Sequence, residues 1–580
     1  MYNLSEKKLY KPFSNEIDRP QIKKFLSRIL SYDKKFLLSS LIYSIVISLL
    51  SLAVPVSVQL LINSVSYTAM LQPLMTIGVV LFILLAFSST LYAIQFYVIE
   101  IFQRRFFARS SCEVALSLLN AQYKTFESGN QKEMVNRFFE TINIQKAVPK
   151  FITDSFTIFL RAIVGLTLIA FYHPLFLLFS IFIILSVVAI WHFYYKEAQV
   201  SSFFESRRKL DLVGWLEDIA GVSTLFKSQR GYDYAKYKTD FLVAQYLKER
   251  KRHFANLFTQ NILLLLLYVV ASSALLMIGG YLVLKEQLTI GQLVAAELVV
   301  SIILYEISRF GRDFSNFYDL VASCEKLSQF QNIPLEEKKL QSVDIAAQGF
   351  SIDFSEVYYV HQKREFNFNF SFESGKNYII STKGFSTKKA IIDLMNGFAA
   401  PLAGAVNFNG ENIENFDKYL LRNHIGIIDN SELIEGLVGE YLYFNNKEIS
   451  LSEISGAIKT VGLEKNILQH PDGLNLRMLP SGFPFSESEK ILLKIARILI
   501  QKPKVIIITE VLDMLVLKAR QNILNYLTKN PDVTLIYFSH RSDGMMDFDK
   551  YLFIDKKQHF EFASMQELEN FEIKYFENGK

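Results

Sequence analysis

The sequence predicts a two-part fold, in which six membrane-spanning α-helices precede an α/β domain. Three observations lead to this prediction. Hydrophobic residues make up 51% of the 580 residues, which is above the average of soluble proteins. Apolar runs long enough to cross a bilayer are confined to roughly the first 320 residues. After them the chain changes to short segments of alternating polarity, such as 366–372, which have the period of a half-buried strand.

The composition excludes several classes of protein. The formal net charge of +5 is small for this length, so no nucleic-acid partner is expected. Only Cys112 and Cys324 are present, which excludes a disulfide framework and a cysteine-rich metal site. The N-terminal segment is charged throughout and lacks the apolar core of a signal peptide. We therefore expect residues 1–35 to form a cytoplasmic elbow before the membrane.

Six apolar stretches each approach or exceed the roughly 20 residues that a spanning helix needs. They are 36–65, 71–99, 151–172, 175–193, 257–283 and 289–307. They define a predicted membrane domain over residues 36–320. Arg161 is the one strongly charged residue that the sequence places well inside a span. It is expected on the cavity side of the third helix, or, as the alternative, extended to the inner interface.

The distribution of lysine and arginine among the loops predicts the orientation. Lys285 is the only lysine or arginine in the predicted loops after the first, third and fifth helices. The loops after the second and fourth helices contain many basic residues, and basic residues concentrate on the cytoplasmic side of membranes. Both termini are therefore expected in the cytoplasm, in a protein that crosses an inner (cytoplasmic) membrane several times.

Two passages of the membrane half resemble a known family. Residues 126–129, Phe-Glu-Ser-Gly, followed by 134–137, are similar to the first coupling loop of ATP-binding cassette (ABC) exporters. Residues 288–293, Leu-Thr-Ile-Gly-Gln-Leu, are similar to the start of the sixth helix of haemolysin-type exporters of type I secretion. The resemblance implies an ABC half-transporter surrounded by membrane lipid, with a second ABC subunit, identical or different, as its partner. A periplasmic adaptor and an outer-membrane channel are further partners of exporters of that type.

Residues 378–397 show the pattern of a buried strand, a tight loop and an amphipathic helix, which is the layout of a phosphate-binding loop. In one register, Lys388 takes the place of the phosphate-binding lysine and Lys389 replaces the magnesium-binding hydroxyl. A shift by one residue instead places Gly384 on a family glycine and Thr387 on the lysine position. Both registers lack part of the motif G-x-x-x-x-G-K-[ST].

Further landmarks follow in the order that an ABC nucleotide-binding domain has, which extends the resemblance over nearly the whole chain. Asn430 lies where the family has the glutamine of its Q-loop. Ser486 corresponds to the serine of the family's signature, whose two glycines are replaced here by Glu487 and Ser488. The resemblance therefore implies a degenerate P-loop NTPase-like nucleotide-binding domain over residues 345–580, after a linker over 321–344.

The remaining landmarks concern catalysis and the nucleotide base. Thr509 replaces the Walker B aspartate, whereas Glu510 keeps the position of the general base that polarises water. His540 corresponds to the switch histidine, and His361 falls near the aromatic residue that stacks on adenine. The resemblance thus implies that Glu510 and His540 are the catalytic residues, in a vestigial or weak form.

The departures from the family pattern bear on the metal ion. Magnesium prefers oxygen ligands, and Lys389 and Thr509 remove the hydroxyl and the carboxylate that the family supplies. We expect the Mg²⁺ site to be lost, no other metal site to be present, and any ATP binding to be weak. Hydrolysis should then be slow or absent, because the phosphoryl charge is poorly neutralised. We hypothesise that Lys388 and Lys389 replace part of the ion's charge.

Three functions are compatible with these features. The first is a half-transporter with degenerate ATP-binding motifs, which pairs with another ABC subunit to export a peptide, protein or lipid-like substrate. The second is a membrane scaffold or regulator that keeps the exporter fold without transporting. The third is a homodimeric ATPase that works with altered motifs.

Overall fold

The computed structural model describes residues 19–67, 71–126, 131–338, 350–444, 446, 448–541 and 548–578. The chain divides into two compact units, which we call the helical unit and the α/β unit. The helical unit comprises Met1–Ala121 and Thr125–Leu335, and the α/β unit comprises Gln122–Lys124 and Glu336–Lys580.

The helical unit contains ten α-helices among its described residues. They are α1 Arg19–Tyr32, α2 Lys34–Leu50, α3 Ala53–Tyr67, α4 Leu71–Leu119, α5 Gln131–Arg137, α6 Glu140–Lys150, α7 Phe156–Ala170, α8 Pro174–Gly221, α9 Gln229–Leu284 and α10 Ile290–Ser328. A π-helical turn, Phe151–Ser155, joins α6 to α7. The predicted N-terminal elbow is represented by α1, and residues 1–18 of that prediction lie outside the described residues.

Five stretches of the described residues are long and apolar enough to cross a membrane. They are Lys34–Ser66, Gln72–Leu119, Met134–Ala170, Pro174–Gly221 and Gln229–Leu284. The sixth predicted span, 289–307, falls almost entirely in α10. Helix α9 has 56 residues, and about 20 suffice to cross a bilayer, so it continues far beyond a membrane on one side. Large apolar side chains such as Phe82 and Phe96 are exposed on α4, where lipid would cover them.

Helix α10 runs past the predicted end of the membrane domain. The predicted boundary at residue 320 lies inside this helix, which continues to Ser328. Its last turns stay helical because Leu320, Cys324 and Leu327 form an apolar face at helical spacing and are buried. Residues 339–344 of the predicted linker lie outside the described residues.

The α/β unit contains seven α-helices and twelve strands among its described residues. The helices are α11 Phe385–Met395, α12 Lys418–Arg422, α13 Val438–Tyr443, α14 Leu451–Thr460, α15 Glu487–Gln501, α16 Leu517–Thr528 and α17 Met565–Asn578. The strands are β1 Ile352–His361, β2 Arg364–Phe372, β3 Asn377–Thr382, β4 Ala403–Phe408, β5 Glu411–Asn412, β6 Ile425–Ile428, β7 Gly436–Leu437, β8 Arg477–Met478, β9 Val505–Ile508, β10 Thr534–Phe538, β11 Lys550–Ile554 and β12 His559–Phe562.

The main sheet has six strands in the order β12-β11-β3-β10-β9-β6, and all neighbours except β11 and β12 pair in parallel. All four residues of β9 are buried, as expected for a parallel strand that is covered on both faces. Ile508 packs into the hydrophobic core on one face of the sheet, and Ile507 packs into the core on the other. The segments that follow β3, β9 and β10 meet at one edge, because the carboxyl ends of parallel strands lie together.

A second, antiparallel sheet has the order β2-β1-β4-β5. The alternation predicted for 366–372 is confirmed, since every second residue of β2 from Phe366 to Phe372 is buried. Strands β1 and β2 are joined by Gln362 and Lys363, whose φ angles of 49° and 64° suit a two-residue hairpin turn. This tight turn pairs His361 directly with Arg364.

Candidate functional site

The segment between β3 and α11 is short. Strand β3 ends at Thr382 and α11 begins at Phe385, so only Lys383 and Gly384 connect them. Gly384 caps the helix with a φ of 94°, a left-handed value that favours glycine. Thr387 is fully buried, and its hydroxyl has no hydrogen-bond partner among the described residues.

Lys388 faces the end of β9. Its ammonium forms an ion pair with the carboxylate of Glu510, which begins the turn after that strand. The Lys388 side chain is 11% exposed and that of Glu510 is 34% exposed. The structure thus brings together two of the predicted site residues, and each neutralises the charge of the other.

The two residues at the predicted metal position are also engaged within the chain. The ammonium of Lys389 lies 3.0 Å from the carboxylate of Asp393, one helical turn further along α11. The buried hydroxyl of Thr509 donates to the carbonyl oxygen of Ile428 at 3.2 Å. Within the described part of the chain, no group of three or more His, Cys, Asp or Glu side chains could hold a metal ion. These residues do not fit a divalent cation.

His540 lies after β10 and is joined to the C-terminal helix α17. Its Nδ1 is 3.1 Å from the hydroxyl oxygen of Ser381 and 3.6 Å from a carboxylate oxygen of Glu572. Ser381 also donates a hydrogen bond to Glu572. Hydrogen bonding to Glu572 raises the pKa of His540, although partial burial opposes the shift. Glu572 was not predicted as a site residue, because nothing in the local sequence of α17 indicates that this helix lies beside Ser381.

A pocket with a cavity volume of about 1030 Å³ lies in the helical unit, and a smaller pocket of about 530 Å³ opens beside the short loop of the α/β unit. Four cationic side chains and one carboxylate are among the residues that line the smaller one: Arg364, Lys383, Lys389, Lys556 and Asp555. The carboxylate of Asp555 accepts a hydrogen bond from the Tyr575 hydroxyl at 2.7 Å. His361 also lines this pocket, and its ring stacks on Tyr359 with a centroid distance of 6.1 Å. The pocket therefore favours an anion.

Asn430 is held by a lysine of a neighbouring helix. The Lys494 ammonium donates to the side-chain oxygen of Asn430 and, at 3.0 Å, to its carbonyl oxygen. The backbone N–H of Glu432 also donates to the same side-chain oxygen at 3.1 Å. The amide oxygen that would face a metal ion or water in a Q-loop is thus already occupied by donors of this chain.

Ser486 acts as the N-cap of α15. Its hydroxyl accepts from the backbone N–H of Glu489 at 3.4 Å, and the Glu489 carboxylate accepts from the Ser486 N–H at 2.7 Å. This reciprocal arrangement is a capping box. Glu487 is also anionic here, because hydrogen bonds from Lys490 and Ser431 lower its pKa. The start of α15 therefore presents two carboxylates.

The larger cavity contains the charged residue that the sequence placed inside a span. Arg161 lines this cavity and forms an ion pair with Glu306 of α10. Lys150 and Asp154 line the same cavity. The expectation of a single strong charge in the spans was wrong, because Glu306 lies within the sixth predicted stretch and supplies the opposite charge. The partner was missed because 145 positions separate the two residues.

Comparison with known proteins finds similarity to ABC transporters. Residues 37–306 match the family model of the ABC transporter transmembrane region. The lactococcin-A transport/processing ATP-binding protein LcnC of Lactococcus lactis subsp. lactis is 23% identical over 526 residues, or 88% of this chain and 72% of that protein. The alpha-hemolysin translocation ATP-binding protein HlyB of Escherichia coli O157:H7 is 22% identical over 286 residues, or 48% of this chain and 40% of that protein.

A solved structure is similar to this chain in its fold. The structure of a bacterial Atm1-family ABC exporter with ATP bound matches with a TM-score of 0.80 and 16% sequence identity. The match covers 94% of this chain and 99% of that one. The predicted fold class, a helical exporter domain followed by an α/β domain, is confirmed. This multi-pass membrane chain therefore shares the fold of that exporter, and its residues 37–306 match the ABC transporter transmembrane region.

Proposed function

We propose that the chain is an export subunit with little or no ATP hydrolysis of its own, which pairs with a second ABC subunit to move a peptide or protein across an inner membrane. The observation that carries this proposal is the ion pair between Lys388 and Glu510. In the family pattern the lysine would bind the terminal phosphates and the glutamate would polarise the attacking water. Here each of these groups is engaged by the other.

The metal position supports the same conclusion. Phosphoryl transfer needs positive charge close to the transferred group, and a divalent cation normally supplies it. The described residues do not fit such an ion, because Lys389 pairs with Asp393 and the Thr509 hydroxyl donates to a carbonyl oxygen. The hypothesis that Lys388 and Lys389 together replace the ion's charge loses support, since a carboxylate already faces each of them.

The start of α15 supports pairing with a different subunit. In ABC dimers the signature of one subunit faces the terminal phosphate at the other, and this chain presents Glu487 and Glu489 there. At roughly 4 Å, two like charges repel by about 1 to 4 kcal/mol, depending on the dielectric constant. A homodimer of this chain would therefore have two weak sites, which makes a different ABC subunit the better partner.

The substrate class follows from the relatives and from the cavity. The names of the relatives refer to transport of lactococcin-A and translocation of alpha-hemolysin. Charged side chains of both signs, Arg161, Glu306, Lys150 and Asp154, line the cavity of the helical unit. Such a lining suits a polar peptide better than a lipid tail. By the same relationship, a periplasmic adaptor and an outer-membrane channel are proposed as partners, with both termini in the cytoplasm.

The proposal is tested by measuring ATP hydrolysis of the purified chain in lipid nanodiscs with magnesium present. We expect the wild type and the Glu510→Gln variant to show the same rate, close to background. An ABC exporter with intact motifs, in the same lipid, serves as the positive control. Magnesium-dependent turnover at the rate of that control, lost in Glu510→Gln, would contradict the proposal and establish the homodimeric ATPase.

A further inference from the structure

We propose that the pocket beside His361 binds a nucleotide with one or two phosphates, such as ADP, without a divalent cation, and that the chain's own carboxylates exclude a third phosphate. This inference rests on the proposed lack of hydrolysis, and it names the class of ligand that the α/β unit binds. It departs from the magnesium–ATP complex that the family pattern implies. Two groups of residues carry the inference. The outer end is formed by Arg364, Lys383 and Lys556, which line the pocket. The inner end is our name for Lys388, Lys389 and His540, of which Lys389 lines the pocket.

The outer end of the site is electropositive. Arg364 follows the hairpin turn after β1, Lys383 lies in the loop after β3, and Lys556 lies in the turn after β11. Three separate turns thus converge on one pocket with cationic side chains, which bind phosphate through charge-assisted hydrogen bonds. The one carboxylate of the lining, Asp555, accepts a hydrogen bond from Tyr575. The volume of about 530 Å³ is within the range of small-ligand sites.

At the inner end, carboxylates of the same chain already neutralise the cationic side chains. Three cationic groups would face the terminal phosphate or replace its metal ion, and each has a carboxylate partner in the chain. Lys388 is paired with Glu510, and Lys389 is paired with Asp393. Glu572 lies 3.6 Å from the Nδ1 of the third group, His540. A third phosphate would have to displace these carboxylates or lie beside them. Like charges at roughly 4 Å repel each other.

Helix α17 holds Glu572 in place. Phe571, the preceding residue, packs its ring on Phe553, Phe560 and Phe562 with centroid distances of 5.3, 4.7 and 5.1 Å. One turn further along the helix, Tyr575 packs on Phe553 at 4.9 Å. These contacts fix the helix against β11 and β12, and the hydrogen bond from Ser381 holds the Glu572 carboxylate in this position. The exclusion of a third phosphate is therefore built into the fold of this unit.

The experiment compares ADP and ATP as titrants. The full chain in lipid nanodiscs is titrated with each nucleotide in the presence of EDTA, and the dissociation constants are measured by calorimetry. We expect ADP to bind roughly tenfold more tightly than ATP, which corresponds to about 1.4 kcal/mol. Equal or tighter binding of ATP by the wild type would overturn the inference. Failure of both nucleotides to bind would also overturn it, while leaving the proposed lack of hydrolysis intact.

Substitutions of single glutamates test which carboxylates cause the preference for ADP over ATP. Glu572→Gln keeps the hydrogen-bonding shape and removes the charge, so the preference for ADP should fall by roughly tenfold. Glu577→Gln removes the same charge from an exposed position of α17 and should leave the preference unchanged. Glu510→Gln serves as a second variant if Glu572→Gln fails to fold, and it should shift the preference in the same direction. An unchanged preference in a folded Glu572→Gln or Glu510→Gln protein would overturn the inference.

The outer end is tested separately. Lys556→Ala should weaken binding of both nucleotides by several-fold, because it removes a cation that lines the pocket. Lys557→Ala, at the exposed neighbouring position, should change neither dissociation constant. Equal binding by Lys556→Ala and the wild type would place the nucleotide elsewhere and overturn the inference. Magnesium-dependent turnover of ATP would instead contradict the proposed function, so the two failures are distinguishable.

Discussion

The interior of the main sheet and the loops at its carboxyl edge keep different amounts of the ABC pattern. In the interior, β9 has the sequence Val-Ile-Ile-Ile and each of its residues is buried, as the fold requires. At the edge, Lys389 and Thr509 occupy the positions that one predicted register assigns to oxygen ligands of a metal ion. The fold depends on apolar burial, which tolerates any loop that satisfies its own polar groups. Catalysis depends on a few polar groups, so it is more sensitive to substitution than the fold.

The edge remains folded without ligand because internal ion pairs satisfy its charges. A charge that is mostly buried costs several kcal/mol unless it is paired. Lys388 is 11% exposed and Lys389 is 24% exposed, and a carboxylate lies within ion-pair distance of each. The same lysines in a working site would be available to phosphate. Stability of the apo protein and affinity for a triphosphate are therefore in competition at this edge.

The largest effect on stability is expected from a substitution in the interior of the main sheet. Ile507 is fully buried in β9, and Ile507→Ala should lower the free energy of unfolding of the α/β unit by about 2–5 kcal/mol. Limited trypsin digestion and thermal unfolding in lipid nanodiscs should show this loss. Ile573→Ala, at a position that is 58% exposed, serves as the matched control and should change neither readout. Equal stability of both variants would mean that the sheet interior does not determine the fold.

The apolar interiors of both units were also the parts that the sequence predicted best. Alternating phenylalanines identified β2, and long apolar runs identified the helical unit, because burial leaves a local and periodic pattern. Lys388 lies in the helix that follows β3, and Glu510 begins the turn that follows β9. Their mutual ion pair was not predicted, because 122 positions separate them and many carboxylates are compatible with one lysine.

Contacts between residues that are far apart in the sequence were not predicted. Glu572 reaches Ser381 across 191 positions, and Glu306 reaches Arg161 across 145 positions. Neither glutamate has a local motif that marks it as a site residue. Such partners are set by how helices pack, and helix periodicity alone does not specify packing between distant segments. The helix end at Ser328 was missed for a related reason, since buried neighbours extend α10 beyond its most apolar stretch.

The second prediction separates stability from catalysis at the edge. Glu510→Gln leaves the Lys388 ammonium mostly buried without its carboxylate, which should cost about 1.5–3 kcal/mol of unfolding free energy. The rate of ATP hydrolysis should stay at background. Lys388→Met in the same protein should recover most of the lost stability, because it removes the unpaired charge. Additive losses in the double variant would show that the two side chains do not interact.

The third prediction concerns the cap of α15. Ser486→Ala removes the hydroxyl that accepts from the Glu489 N–H and should lower the free energy of unfolding by about 1 kcal/mol. Affinity for ADP should not change, because the hydroxyl serves the helix rather than a phosphate. Ser488→Ala, two residues further along the same helix, is the matched control and should change stability by less than about 0.5 kcal/mol. A loss of ADP binding in Ser486→Ala alone would instead assign the serine to a nucleotide.

The smallest expected effect is a pH dependence at His540. Hydrogen bonding to Glu572 raises its pKa above the ordinary 6.5, so the folded state holds a proton that the unfolded state releases. The stabilisation is fully present below pH 6.5 and is lost as the pH rises through the raised pKa. Glu510 acts in the same direction and Lys388 opposes it.

Because the His540 side chain is 48% exposed, solvent screening keeps this contribution below about 1 kcal/mol. Unfolding temperatures of the wild type and His540→Asn, measured from acidic to alkaline pH, should therefore differ at low pH and converge at high pH. In a Glu572→Gln background the same substitution should give a difference that no longer depends on pH over this range. A difference that grows toward alkaline pH would mean that the histidine is stabilised in its neutral form, and would contradict this prediction.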